Sequence, residues 1–210
     1  MKLFNLFGFA FALTLVLSSC VGDEDTVLSP YTPTVVGTDF EVGLYDNDIL
    51  AENDDLLEQA GWRNYAQTGS AKWRNQYYSG NSYAEFSSYQ SGDAVNIGWL
   101  ITPPINMDLH EGEKFDFDVS QSYVVNAANS LQVLISTNYN GTDVEGANWQ
   151  PLSASIPGTS ATYFEFQDSG VIDLSSYTGT IYIAFKVSGE GTSTTLLDGS
   201  YQLDNVRVYY

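Results

Sequence analysis

Alternation with a period of two is the feature that most restricts what this chain can fold into. Phe115, Phe117 and Val119 alternate with Lys114, Asp116 and Asp118. Leu131, Val133 and Ile135 alternate with Gln132, Leu134 and Ser136, and Ile181, Ile183, Phe185 and Val187 alternate with Tyr182, Ala184, Lys186 and Ser188. Successive side chains of a strand point to opposite faces. The pattern therefore sets one face on a core and the other toward solvent, as in an antiparallel sheet. Turn signals separate the runs at Ser79-Gly80-Asn81, Ser91-Gly92-Asp93, Asn140-Gly141, Pro157-Gly158, Thr178-Gly179 and Asp198-Gly199. The run from Gly98 to Ile101 meets Thr102-Pro103-Pro104. Two prolines cannot sit in a central ladder, so that strand ends or lies at an edge there. One short helical turn is expected around Asp54, Leu56, Leu57 and Gln59, closed by Gly61. Many short strands without helices predict an all-β fold, an antiparallel β-sandwich of jelly-roll type.

The last strand changes phase. Tyr201 and Leu203 hold odd positions, whereas Val206 and Val208 hold even ones. A bulge at Leu203-Asp204-Asn205 accounts for the change and re-aims a polar side chain, which singles out Asp204.

Charge narrows the function. The 210 residues carry 26 acidic and 7 basic side chains, a formal net charge of −19. Such a surface repels phosphate backbones and anionic lipid, so nucleic acid is excluded as a partner and the membrane is reached only through an anchor. An aromatic content of 14% sets the chain apart from disordered acidic sequences. With one Cys and one His, zinc clusters, Cys–His dyads and intrachain disulfides are ruled out.

The N-terminus reads as an export signal. Lys2 precedes an apolar run from Leu3 to Leu17, and Leu17-Ser18-Ser19-Cys20 follows. This ending resembles the bacterial lipobox, which implies a signal over residues 1–19 and a lipid on Cys20. Asp23, Glu24 and Asp25 resemble the surface-export signal of Gram-negative lipoproteins. The expected location is the outer membrane, lipid-anchored and exposed at the cell surface. Residues 20–38, with Pro30 and Pro33, read as a tether, and residues 39–210 as the sandwich domain.

Several motifs taken together resemble one family. They are Gly61-Trp62-Arg63-Asn64-Tyr65, Gly69-Ser70 with Trp73, Tyr83-Ala84, Gly98-Trp99-Leu100-Ile101-Thr102-Pro103-Pro104, Leu131 to Thr137 with Trp149, and Leu203-Asp204-Asn205-Val206. They resemble the choice-of-anchor J domain, related to the cleaved-adhesin domains of bacterial surface proteases, over about Glu52 to the C-terminus. The resemblance implies a jelly roll akin to carbohydrate-binding modules, a role in adhesion or binding, and a structural Ca²⁺. In that family the ion joins an early acidic residue to the Asp of the final strand. Asp204 matches the late position. The early one is either Glu41, in the Phe-Glu opening Asp39-Phe40-Glu41, or Glu52 and Asp54.

The residues themselves offer three kinds of site. Oxygen-rich loops suit calcium, which takes six to eight oxygens. Trp62, Trp73, Tyr77 and Tyr78 stand among Arg63, Asn64, Arg74, Asn75 and Gln76, a setting that reads as an exposed aromatic platform for a glycan or a surface protein. The two arginines make this the least negative region and the expected place for an acidic ligand. Trp99, in an apolar strand, is expected in the core. A hydrolase would need a carboxylate pair. Asp116 and Asp118 are expected on the solvent side, His110 lies in a turn, and no serine elbow or metalloprotease helix occurs. The expected function is a calcium-stabilised binding or adhesion module and not an enzyme. A structural accessory subunit of a polysaccharide-handling complex and a glycan hydrolase are the alternatives.

Overall fold

The computed structural model describes residues 32–41, 57–58, 60–192 and 196–210. Cys20, Glu52, Asp54 and most of the expected helical turn lie outside them. The strands are β1 (Thr34–Thr38), β2 (Arg63–Thr68), β3 (Trp73–Tyr78), β4 (Asn81–Ser87), β5 (Asn96–Ile101), β6 (Ile105–Asn106), β7 (Lys114–Ser122), β8 (Ser130–Ser136), β9 (Gln150–Pro151), β10 (Gln167–Asp168), β11 (Ile172–Asp173), β12 (Thr180–Gly189) and β13 (Ser200–Tyr209). They form two antiparallel sheets packed as a sandwich. One sheet has seven strands in the order β10-β7-β13-β4-β3, with β1 also on β13 and β11 also on β7. The other has six, in the order β2-β5-β12-β8-β9, with β6 on β12.

Local chemistry sets these elements. Ser79 and Gly80 both have positive φ, 54° and 89°, which closes the two-residue hairpin between β3 and β4. Trp62 N–H donates to the Leu57 carbonyl at 3.0 Å, and Gly61, at φ 87°, ends that turn. Beyond β5, Thr102 continues the contact with β12. Its N–H donates to Ile183 O at 2.9 Å and its Oγ1 accepts from Ile183 N at 3.0 Å. The prolines follow only after that. Gly98 sits under Phe86, and a Cβ there would stand 2.1 Å from the ring.

The expected bulge is present. Asp204 pairs with Asp118 and Arg207 with Asp116, so three steps of β13 oppose two of β7, and Asn205 takes φ 47°. Residues 34–38 were expected in the tether. They instead form β1 along the second half of β13, Val36 opposite Val208 and Thr38 opposite Val206, so the ordered domain begins earlier.

Phe185 lies at the centre of the space between the sheets. Its ring centroid is 5.0 Å from Phe117, 6.2 Å from Phe115, 6.4 Å from Trp62 and 6.5 Å from Trp73. Phe40 packs at a tilt against Trp62 at 5.7 Å, and Phe86 against Trp73 at 5.8 Å. Trp62 and Trp73 are therefore core residues, 4% and 0% exposed, and not an exposed platform. Alternation explains the correction: Arg63 and Arg74, at the starts of β2 and β3, are exposed and point away from the buried indoles beside them, so charged flanks say nothing about an indole. Asn64, on β2 of one sheet, reaches β3 of the other. Its Nδ2 donates to Trp73 O at 2.7 Å and its Oδ1 accepts from Trp73 N at 3.2 Å. Each hydrogen bond is worth about 1 kcal/mol net, whereas burying each large apolar side chain is worth roughly 1.5–3 kcal/mol. The ring cluster, rather than the polar staple, dominates the contact between sheets.

The six-stranded sheet is buried on both faces. Trp99, Ile101, Leu134 and Ala184 point away from the central core, and the segment 137–149 covers them with Tyr139, Val144 and Trp149. Trp99 is buried as expected, but in this second cluster, 5.4 Å from Trp149. Leu134 was expected on a solvent face and is buried for the same reason.

Candidate functional site

The solvent face of the seven-stranded sheet carries a polar floor. Alternation along β4 turns Tyr83, Glu85 and Ser87 outward while Ala84 and Phe86 enter the core. Gln202 of β13 lies opposite Glu85 and Ser120, and Ser200 lies opposite Ser87 and Ser122. Gln202 is 1% exposed and fully engaged. Its Oε1 accepts from Ser120 Oγ at 2.7 Å. Its Nε2 donates to Ser200 Oγ at 2.7 Å, to Glu85 Oε2 at 3.1 Å and to Ser122 Oγ at 3.3 Å. A satisfied network of this kind fixes its members before any ligand arrives.

Aromatic side chains stand over this floor. The segment 152–166, between β9 and β10, brings Phe166 to 5.9 Å from Tyr83 and Tyr163 to 4.8 Å from Tyr123. Two cavities result. One of about 630 Å³ is lined by Tyr78, Tyr83, Phe164, Phe166, Ser120 and Gln202 among others. The other, of about 540 Å³, is lined by Glu85, Tyr89, Tyr123, Phe164, Ser122 and Ser200 among others. Phe164 lines both, and Gln202 and Ser200, two positions apart on β13, floor one each, so the two cavities adjoin as compartments of one cleft.

One buried side chain holds the wall. Gln121, 0% exposed, donates from Nε2 to Ala161 O at 2.9 Å and accepts on Oε1 from Val124 N at 3.0 Å. Its backbone carbonyl accepts from Phe164 N at 2.8 Å. The two aromatics thus clamped, Tyr123 and Phe164, have φ of 58° and 61°. Left-handed backbone at a bulky residue costs on the order of 1–3 kcal/mol. Both side chains are more than half exposed, so burial of the rings does not offset that cost.

Electrostatics follow from burial. The Tyr83 phenol is pushed up to about 12, chiefly by desolvation, so it stays a hydrogen-bond donor at any physiological pH. Burial likewise raises Glu85, opposed by the hydrogen bond from Gln202 and by the charge of Arg74, its cross-strand neighbour.

Of the four aromatics expected to bind, only Tyr78 lines the cleft. Tyr77 is half-buried and pairs with the buried Ser82. Arg63 and Arg74 fall on different sheets, so the expected basic patch does not assemble. Phe164, Phe166, Tyr123 and Gln202 were not anticipated. The run Tyr163-Phe164-Glu165-Phe166, following a stretch rich in Ser, Thr, Pro and Gly, was the available signal.

The acidic candidates lie near the bulge. Asp204 is 5% exposed, with Oδ1 accepting from Asn205 N at 2.7 Å and Oδ2 from Asn81 Nδ2 at 2.9 Å. Burial raises its pKa, and the nearby carboxylates of Asp118 and Asp39 add to the shift. Glu41 accepts from Ser82 N at 2.8 Å and Ser82 Oγ at 3.2 Å. Glu41 and Asp204 therefore grip adjacent residues of β4. Among the described residues no three acidic, His or Cys side chains converge into a metal cluster. Asp116, expected in solvent, is covered by Arg207 and Tyr209, which both donate to it.

No protein-family model and no curated protein matches the chain. Among solved structures it is similar to the K1 cleaved adhesin domain of Lys-gingipain from Porphyromonas gingivalis W83. The identity is 20% and the TM-score 0.50, over 84% of this chain and 98% of that one. The K3 domain of the same protein aligns at 18% identity and TM-score 0.49, over 85% and 100%. The CBM22-2 xylan-binding domain of Paenibacillus barcinonensis Xyn10C aligns at 14% and 0.45, over 83% and 98%. The likeness to the K1 domain is one of fold, and it is the adhesin-like fold expected from the motifs.

Glu85 generates a test. A carboxylate whose folded pKa is raised costs stability when ionised, and the cost vanishes below the unfolded value of about 4.3. Glu85→Gln should therefore melt higher than wild type at pH 7. The difference should close as the pH falls through the carboxylate range. Thermal melts of both proteins from pH 8 to pH 4 check this, and a gap that widens on acidification contradicts the assignment.

Proposed function

We propose that this chain is a non-catalytic binding module that captures glycan in the aromatic-walled cleft, held at the cell surface by a lipid on Cys20. The cleft carries the reading. Flat rings of Tyr78, Tyr83, Phe164 and Phe166 face a floor of hydroxyl, amide and carboxylate groups. That combination suits a sugar, whose ring faces are apolar and whose edges are hydroxyls. A structural accessory subunit would make no use of such a surface. Adhesion, the role in the name of the K1 domain, fits a surface-anchored module of this kind.

Glycan capture is tested on an array with the mature protein. Wild type should bind a defined set of glycans. Phe166→Ala and Tyr83→Ala should weaken that binding about tenfold or more, the scale of a lost central aromatic contact, with melting little changed. Binding indifferent to both variants, or none to any glycan, sinks the proposal and leaves a surface protein as the partner to seek.

The lipid anchor rests on Leu17-Ser18-Ser19-Cys20 and on Cys20 being the chain's single cysteine. Cys20→Ser should move the protein from the detergent phase to the aqueous phase. A variant that still partitions with detergent removes the anchor.

Calcium is proposed at the bulge. Carboxylate oxygens are what a hard cation takes, and Asp204 lies buried with Asp118 and Asp39 near, bonded among the described residues to the N–H groups of Asn81 and Asn205 and to no cationic side chain. Asp204 and Glu41 would hold the ion, with Glu52 and Asp54 as the further early candidates. Its role would be to tie the start of the domain to β13. A ligand bound only by the native state stabilises by about 2.7 kcal/mol at a hundredfold excess over Kd, which for a domain of this size is a few degrees in Tm. Chelation should lower Tm by that amount, and Asp204→Ala should abolish the response. A chelator-insensitive melt in a protein metal-free by elemental analysis removes the site.

A further inference from the structure

Resting on the glycan reading, we infer that the cleft takes an uncharged polysaccharide, lying along β4 and β13 and crossing both compartments, with Phe164 stacking at their junction. The compartments follow one another along β4, Asn81 and Tyr83 lining one and Glu85 and Ser87 the other. From Asn81 to Ser87 is six steps, about 20 Å at roughly 3.3 Å per residue. That is longer than one sugar ring, so a chain rather than a single terminal sugar fills it. Aromatic surface recurs along the whole path: Tyr78, Tyr83 and Phe166 at one end, Phe164 between, Tyr89 and Tyr123 at the other. A site for a chain end would concentrate its rings in one place.

Charge selects the class of chain. Among the described residues no Lys or Arg lines either compartment, while Glu85 and Asp198 line one of them. Arg74 is the cross-strand neighbour of Glu85 but lines neither compartment. A uronate or sulfate would be set against these carboxylates in a surface of net charge −19, with no cation among the lining residues to compensate. A neutral sugar meets acceptors for its hydroxyls in Glu85 and Asp198, and a donor in Tyr83.

Phe164 is the residue on which the spanning mode depends. Its N–H bond to Gln121 and its left-handed backbone hold the ring out over the sheet rather than folded against it. Gln121 acts as a positioning residue, tying both Phe164 and the Tyr123 turn to β7 without lining either compartment.

The test is calorimetry with ladders of neutral xylo-, manno- and gluco-oligosaccharides, from disaccharide to hexasaccharide, and with oligogalacturonides as the acidic counterpart. In at least one neutral series affinity should keep rising beyond the disaccharide, and oligogalacturonides should fail to bind. Phe164→Ala, a change at an exposed residue, should cut the affinity of the longest oligosaccharide about tenfold, a larger factor than it takes from the disaccharide. Gln121→Ala should flatten the length dependence in the same way. If that variant fails to fold, Phe164→Ala alone decides. A plateau at the disaccharide, or equal binding of oligogalacturonides, overturns the inference while glycan capture stands. Wild type binding no sugar at all overturns both.

Discussion

The packing of rings around Phe185 is the constraint on which the other features rest. Phe117, Phe115, Trp62 and Trp73 reach it from both sheets, and Phe40 and Phe86 pack behind the two indoles. Hydrophobic burial has no direction, but rings of this size leave few ways to fill a layer at crystal-like density. Once Phe185 points inward, β12 has no freedom of register. Tyr182, Ala184 and Lys186 must point outward, and Trp99 then finds a place beneath Trp149 of the 137–149 segment. A one-residue slip would invert both layers.

The polar face of the other sheet obeys a different rule. A buried glutamine is tolerated only when its amide is satisfied. Gln202 and Gln121 both meet that requirement, and in doing so each fixes something else. Gln202 fixes the hydroxyls of Ser120 and Ser200. Gln121 fixes a segment whose aromatics would otherwise have no reason to stand in strained backbone. The buried amides of the floor and the wall are thus satisfied without a ligand.

Burial also sets the charge pattern. Asp116 is matched by Arg207 and Tyr209, whereas Asp204 meets only amide donors and the nearby charges of Asp118 and Asp39. The bulge concentrates these carboxylates where β1 joins β13. The cleft, by contrast, keeps its rings and amides at the centre, and among the described residues no Lys or Arg lines it.

The strand pattern was legible because alternation is a local property. Phe115 and Phe117 had to share a face of their strand, and Ile183 and Phe185 a face of theirs, whatever they packed against, and the phase change before Val206 required an extra residue in β13. The turn at Ser79-Gly80 and the prolines after β5 were equally local. What alternation cannot say is which of two faces stays open. Leu134 and Trp99 were covered because the segment that follows β8 folds back across them. Trp62 and Trp73 looked like a rim because their neighbours are charged, yet those neighbours lie on opposite faces by the same alternation that buries the indoles. The cleft was the least legible part. Tyr78 was visible beside Tyr77 among Arg74, Asn75 and Gln76, but Phe164 lies 86 positions away, and Gln121 of β7 holds it over β4 through its backbone carbonyl, with its side chain on Ala161. Sequence periodicity determines which residues a strand turns inward. Contacts between distant segments decide which outward faces become a site, because no local pattern records what comes to lie above them.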